Sequence, residues 1–178
     1  MRWFWIDRYT EFVSGSHATA VKNVSLAEDY IHDHFPTAPV MPNSLILEGL
    51  AQTGGLLVGE YNGYAKRVVL AKVSKVKFHF PAIPGDTLIY RTKIHNIDDQ
   101  GAMVEGTSHV GDRLQAEGEI FFAHLDERNG SQPLFDPETF MVWLRLVQIY
   151  EVGRTQSGAP LTVPPGWANT EIAGQNSW

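Results

Sequence analysis

Two side chains in the first third of the chain have the chemistry of an acid–base pair. His34 precedes the loop Phe35-Pro36-Thr37-Ala38-Pro39-Val40-Met41-Pro42, and Glu48 lies in the apolar segment that follows. A neutral imidazole takes a proton near neutral pH, and a carboxyl among apolar groups favours its neutral form and can give one. Next to a helix N-terminus, whose free N–H groups polarise an oxygen, such a pair is equipped for proton transfer beside a carbonyl. Gln52, one turn after Glu48, is placed to orient its carboxyl. Plainer readings stand beside these. An acid in the first two turns of a helix is favoured by the dipole whatever its role, and both His34 and Gln52 could simply bond to backbone.

The surrounding elements must hold these groups. Pro36, Pro39 and Pro42 stiffen the loop. A helix then starts, with Asn43 or Ser44 as the expected N-cap. From Leu45 to Val58 it is apolar on nearly all sides, which predicts burial all round. Gly54, Gly55 and Gly59 permit close backbone approach, and Asn62-Gly63 ends the helix. Upstream, Trp3–Val13 and His17–Val24 flank Ser14-Gly15-Ser16 as a hairpin. Ser25 is expected to cap a short helix through Ile31, with Glu28 completing a capping box. Downstream, strands are predicted over Val68–Phe80, Thr87–Ile97, Ala102–Val110 and Leu114–His124, with turns at Pro84-Gly85-Asp86, Asp98–Gly101 and Gly111-Asp112. One hydrophobic helix followed by an antiparallel meander predicts an α+β sheet wrapped around that helix.

The His34–Gln52 stretch, H-F-P-x-x-P-V-M-P-x-x-L-I-L-E-G-L-A-Q, resembles the signature of FabZ/FabA-type 3-hydroxyacyl-[acyl-carrier-protein] dehydratases. Val21–Ser25 before it and Lys77–Asp86 after it extend the resemblance over roughly 3–125, closest to the FabZ branch. The resemblance implies a hot-dog fold, with His34 and Glu48 as the catalytic pair. It also implies that two sheets join across a dimer, so that each site takes its His and its acid from different subunits. On this basis His34 takes the α-proton of a (3R)-3-hydroxyacyl thioester, Glu48 protonates the leaving hydroxyl, and backbone N–H groups at Asn43 and Ser44 hold the thioester carbonyl. Gln52 supports Glu48, and Phe35, Met41 and Leu70 line the acyl tunnel. No metal or redox cofactor is implied, because the acyl chain arrives on the phosphopantetheine of acyl carrier protein. The family pattern carries Gly where this chain has Thr37 and Asn43, and an Asn side chain there could crowd the thioester or add a hydrogen bond. The FabA branch, which also isomerises, carries Asp at the acid position; Glu48 points to FabZ. Two other functions remain open: an acyl thioesterase, and a non-catalytic acyl-carrier-binding or scaffold protein of hot-dog fold.

Composition sets outer limits. The chain has 178 residues, enough for one domain and an appendage, and its 43% hydrophobic content is ordinary for a molecule with a core. It contains no cysteine, so disulfide and thiol chemistry are excluded. A net charge of −6 disfavours nucleic acid as main partner. No segment reads as a signal peptide or membrane span, and a cytoplasmic location is expected. Lys66, Arg67, Lys72, Lys75 and Lys77 lie in a stretch without acids, from Tyr61 to Gly85. This is either a lysine-protected strand edge or a face for an acidic partner; the resemblance makes that partner acyl carrier protein. It likewise implies a homodimer, or a hexamer as a trimer of dimers.

Residues 1–126 are thus expected to form the hot-dog domain and 127–178 a C-terminal extension. Asp126–Gln132 is a polar linker. Asp136 and Pro137 start a helix of about 137–150 with an apolar face at Phe140, Met141, Trp143, Leu144, Val147 and Tyr150, expected to pack on the sheet or a neighbouring subunit. Beyond it runs a Gly/Pro-rich tail, in which Pro164-Pro165-Gly166-Trp167 could lay an indole into a groove or form plain surface. His32-Asp33-His34 has ligand-type residues, but adjacent loop positions rarely converge on one ion, and no metal is expected. His79, His95, His109 and His124 fall in predicted strands and are expected on exposed faces.

Overall fold

The computed structural model describes residues 4–125 and 136–164. The elements run β1 (Arg8–Val13), β2 (His17–Asn23), α1 (Asp29–Asp33), α2 (Asn43–Tyr61), β3 (Arg67–Phe78), β4 (Thr87–Ile97), β5 (Gly101–Val110), β6 (Arg113–Leu125), α3 (Pro137–Leu146), α4 (Ile149–Val152) and β7 (Gly153–Arg154). Among the described residues they form a seven-stranded sheet of order β3-β6-β5-β4-β2-β1-β7, antiparallel except where β7 runs parallel to β1. The long helix α2 lies on one face of it, as the sequence predicts. No helix among the described residues is long and apolar enough to cross a membrane.

Alternation along the strands builds the core. Leu88, Tyr90 and Thr92 of β4, and Ala102, Val104, Gly106 and Ser108 of β5, point inward beneath α2, while their neighbours are more exposed. Gly49 matters at the crossing: a Cβ there would stand 2.5 Å from the Tyr90 ring, so a side chain at this position would force helix and sheet apart. The burial of α2 changes along its length in the single chain: residues 49–54, which span its whole circumference, and 57–59 are buried, and the first two turns are covered on one side. Ile46, Gly49, Leu50, Thr53 and Leu57 are enclosed, whereas Leu45, Leu47 and Leu56 are half-buried and Glu48 is exposed. The expectation of burial on every side is thus met over 49–54 and corrected in the first two turns, where Asn43, Ser44 and Glu48 are exposed.

Several boundaries differ from the sequence reading for physical reasons. Pro42, not Asn43 or Ser44, is the N-cap of α2; its extended backbone aims its carbonyl at Leu45 N (2.9 Å) and Ile46 N (3.2 Å). Ser25 Oγ accepts the nearby Ala27 N–H (3.1 Å) instead of capping a helix, and α1 starts only at Asp29. Glu28 does not close a capping box, because its carboxylate is taken by Lys22 Nζ at 2.7 Å. The first strand begins at Arg8, not near Trp3, since the Trp5 N–H is given to the Gln52 side chain and not to a ladder. His124 is not on an exposed face: it is 8% exposed, on the inner side of β6. His79 and His95 do lie outside, paired with Glu117 and Glu105.

The C-terminal helix starts as expected, with the Asp136 carboxylate accepting from Thr139 N (2.9 Å). It stops at Leu146 instead of continuing to Tyr150. Gln148 takes a left-handed backbone (φ +62°), and the Val147 carbonyl turns to accept Tyr9 N at 2.9 Å. Phe140, Met141, Leu144, Val147 and Ile149 join the same core as the sheet, and Ser14 N donates to the Arg154 carbonyl (2.9 Å). The extension therefore covers the β1 edge, while β3, at the opposite end, pairs only with β6 among the described residues. The expected linker and the Pro165-Gly166-Trp167 segment lie outside the described residues.

Candidate active site

His34 follows α1 at the start of the proline loop. The loop folds back on it: Val40 N donates to the His34 carbonyl (2.9 Å), and His34 Nδ1 stands 3.3 Å from the Val40 carbonyl oxygen. A carbonyl only accepts, so Nδ1 carries a hydrogen and Nε2 is the nitrogen that has the lone pair in the neutral ring. The Phe35 ring stacks on the imidazole at 4.4 Å between centroids. Met41 N donates to the Ala82 carbonyl (2.8 Å), which anchors the loop to the β3–β4 connection just before α2 begins.

Helix geometry leaves the N–H groups of Asn43 and Ser44, the first residues of α2, without an intrahelical acceptor, and both residues are exposed. One turn on, Glu48 projects from the open side of the helix. Gln52 Nε2 donates to Glu48 Oε1 at 3.0 Å, and Gln52 Oε1 accepts the backbone N–H of Trp5 at 2.9 Å. Because an N–H can only donate, Trp5 obliges the Gln52 oxygen to face it. The amide nitrogen is thereby turned toward Glu48. Oε1 of Glu48 is then committed as an acceptor, and Oε2 is the oxygen that Gln52 leaves open. Tyr9, buried and with its hydroxyl pushed far up in pKa by that burial, donates toward the Thr53 carbonyl at 3.0 Å, with the Gln52 carbonyl at 3.4 Å. Trp5 and Tyr9 escape the sequence reading; their only signal is an aromatic-rich N-terminal segment.

Within one chain His34 and Glu48 form no ion pair among the described residues. Each is instead held by its own local partners. Of the three residues expected along an acyl tunnel, Met41 is enclosed in the core, whereas Phe35 and Leu70 are 56% and 45% exposed.

The basic stretch is less one-sided than its sequence implies. Lys66 pairs with Asp99 at 2.8 Å, and this pairing holds the Asp99 carboxyl below its usual range. Lys72 lies over the Phe121 ring. Register places Lys75 opposite Glu119 and Lys77 opposite Glu117, and these four residues line a surface groove of about 350 Å³ with Glu105. Arg67 opens β3. Acids distant in sequence thus face Lys75 and Lys77 across the β3–β6 ladder and Lys66 from the β4–β5 turn. Among the described residues no group of three His, Asp or Glu side chains is arranged to hold a metal ion.

Comparison with known proteins gives concordant matches. Residues 3–120 match the model of the FabA-like domain. The chain is 37% identical over 124 residues to the 3-hydroxyacyl-[acyl-carrier-protein] dehydratase FabZ of Sulfurovum sp. (strain NBC37-1), spanning 65% of this chain and 82% of that one. It is 37% identical over 122 residues to the dehydratase of the same name from Wolinella succinogenes, spanning 65% and 81%. Among solved structures it is similar to smu.793 from Streptococcus mutans bound to acetyl CoA (TM-score 0.57, 15% identity, 72% of this chain and 96% of that one). It is also similar to the conserved protein PA5202 from Pseudomonas aeruginosa (TM-score 0.53, 18% identity, 66% and 87%). The architecture shared with these structures is the hot-dog fold.

Proposed function

The chain belongs to the FabA-like family, on its FabZ branch, and from that membership we propose that it dehydrates (3R)-3-hydroxyacyl-[acyl-carrier-protein] to the trans-2-enoyl thioester in fatty acid or related lipid biosynthesis. The observation that carries the reading is the pair of oriented groups. His34 has Nδ1 turned to the Val40 carbonyl, which leaves Nε2 as the nitrogen open to substrate, and Glu48 presents Oε2 with Oε1 held by Gln52.

The bond changes balance without an outside reagent. His34 Nε2 takes the α-proton, and the C–H electrons form the new double bond. The C–O bond to the β-hydroxyl breaks as Glu48 gives it a proton, directly or through water, and water leaves. The proton on His34 then returns to Glu48 through solvent. The N–H groups of Asn43 and Ser44 polarise the thioester carbonyl as enolate charge develops, an interaction worth about 3 kcal/mol of barrier per donor. No metal or redox cofactor enters these steps. The acyl chain arrives on the phosphopantetheine of acyl carrier protein, and Lys66, Arg67, Lys72, Lys75 and Lys77 are the candidate contacts for that acidic partner. Phe35, Met41 and Leu70 are the candidate tunnel residues.

The active unit in this reading is a homodimer, with a trimer of dimers as the larger form. Two observations support it. His34 and Glu48 of one chain make no ion pair among the described residues. Among the described residues the twelve-residue β3 has a free edge with Leu70 and Val76 exposed, which a second copy would pair and cover. A cytoplasmic setting fits the acyl-carrier substrate. The test is enoyl absorbance with purified protein and a carrier-linked 3-hydroxyacyl thioester. Interconversion by the wild type, abolished in folded His34→Ala and Glu48→Gln, is the expected result. Thioester hydrolysis instead would make the protein a thioesterase, and binding without turnover would make it a carrier-binding protein.

A further inference from the structure

The C-terminal extension lies beyond the residues that match the FabA-like domain, and it packs where Gln52 is held. Two routes connect them. In the first, the Trp143 indole meets the Phe4 ring edge-on at 5.3 Å. The next residue, Trp5, is 7% exposed, packs edge-on against Tyr30 at 5.3 Å, and gives its N–H to Gln52 Oε1. In the second, the Val147 carbonyl takes the Tyr9 N–H, and the Tyr9 hydroxyl reaches the Thr53 and Gln52 carbonyls. Gln52 is thus gripped at its side chain by Trp5 and beside its main chain by Tyr9, and the extension backs both.

We propose that the C-terminal extension is a positioning element for the active-site acid, acting from Trp143 through Phe4 and Trp5 to Gln52 and so to Glu48. The inference rests on the reading of Glu48 as the proton donor. Its physical basis is the orientation of one amide. The Trp5 N–H is the donor that obliges the Gln52 oxygen to face away from Glu48. If the N-terminal segment drifts, the Gln52 amide is free to turn over and present oxygen to Glu48, and Oε1 loses its donor. Trp143 is therefore a positioning residue that never meets the substrate. Its loss should lower turnover more than binding, because it disturbs where the acid's proton sits and leaves the carbonyl-holding N–H groups of α2 in place.

The test uses the full chain and Trp143→Ala, with Trp143→Phe as the conservative variant and Phe4→Ala as the substitute should Trp143→Ala fail to fold. Amide hydrogen exchange reads the relay without substrate. Trp143→Ala is expected to speed exchange of the Trp5 amide by about tenfold or more while the Leu50 amide in α2 keeps its protection. In the dehydratase assay kcat should fall by about tenfold with KM nearly unchanged, and Trp143→Phe should recover most of it. Trp143→Ala combined with Gln52→Ala should be no slower than Gln52→Ala alone, since both cut one chain of contacts. Unchanged Trp5 exchange, or kcat losses that multiply in the double variant, would overturn the proposal. An inert wild type would overturn the dehydratase reading instead, and the exchange experiment would still decide whether the extension holds Trp5.

Discussion

His34 and Val40 clasp each other twice: the Val40 N–H donates to the His34 carbonyl at 2.9 Å, and His34 Nδ1 points back at the Val40 carbonyl at 3.3 Å. The imidazole is thereby oriented by its own loop and needs nothing from Glu48 of the same chain. If each site combines His34 of one protomer with Glu48 of another, the two inactive variants complement. Mixed under conditions that exchange subunits, His34→Ala and Glu48→Gln should regain about a quarter of wild-type activity, because random pairing makes half the dimers mixed and each mixed dimer has one intact site of two. Activity that stays at zero after proven subunit exchange would place both groups of a site on one chain.

Asn43 occupies the first turn of α2 behind the extended N-cap Pro42 (φ −55°, ψ 134°). Proline fits that position without disturbing the helix, and it removes only the N–H. Asn43→Pro should therefore keep the fold and lose about 100-fold in kcat, the usual effect of deleting one oxyanion donor. Asn43→Gly keeps the N–H and should stay within about threefold of wild type. Steady-state kinetics of the two, with circular dichroism as the check on folding, separates backbone from side chain.

Glu60, at the C-terminal end of α2, has its carboxyl pushed up in pKa by burial, against a smaller lowering by a hydrogen bond from Ser14. Its Oε2 is buried without a partner among the described residues. A raised folded-state pKa means stability that is full below the unfolded value and is lost as pH rises through the folded one. At neutral and alkaline pH the fold thus carries a poorly satisfied buried charge. Glu60→Gln should melt a few degrees above wild type at pH 8 and coincide with it near pH 4. Calorimetry at both values checks this, and an equal gap at both would show that charge is not the cause.

Leu144 of α3 is fully buried in the core that also contains Tyr9, Phe12 and Ile149. Leu144→Ala should destabilise the whole molecule by about 2–5 kcal/mol. Urea unfolding followed by tryptophan fluorescence should remain one transition, shifted to lower denaturant. A separate early transition would show that the extension unfolds independently.

The amino-acid sequence alone was enough for the local events. The proline loop, the helix it launches, the Asn62-Gly63 stop and the four strands of the meander are coded by residues within a few positions of each other, so propensity and periodicity expose them. Glu48 and Gln52 were legible as partners for the same reason, since one helical turn brings them together whatever the fold. Tertiary structure decided whatever depends on contacts between distant segments. The N–H of Trp5 reaches Gln52 across 47 residues and sets which way its amide faces, and no local pattern records that. The lysines of β3 read as a basic face in one dimension, but strand pairing brings Glu117 and Glu119 opposite them. Helix α2, apolar nearly all round in sequence, is enclosed on every side over 49–54 but leaves Glu48 exposed in its first two turns, because which side of a helix is covered depends on how distant segments pack over it.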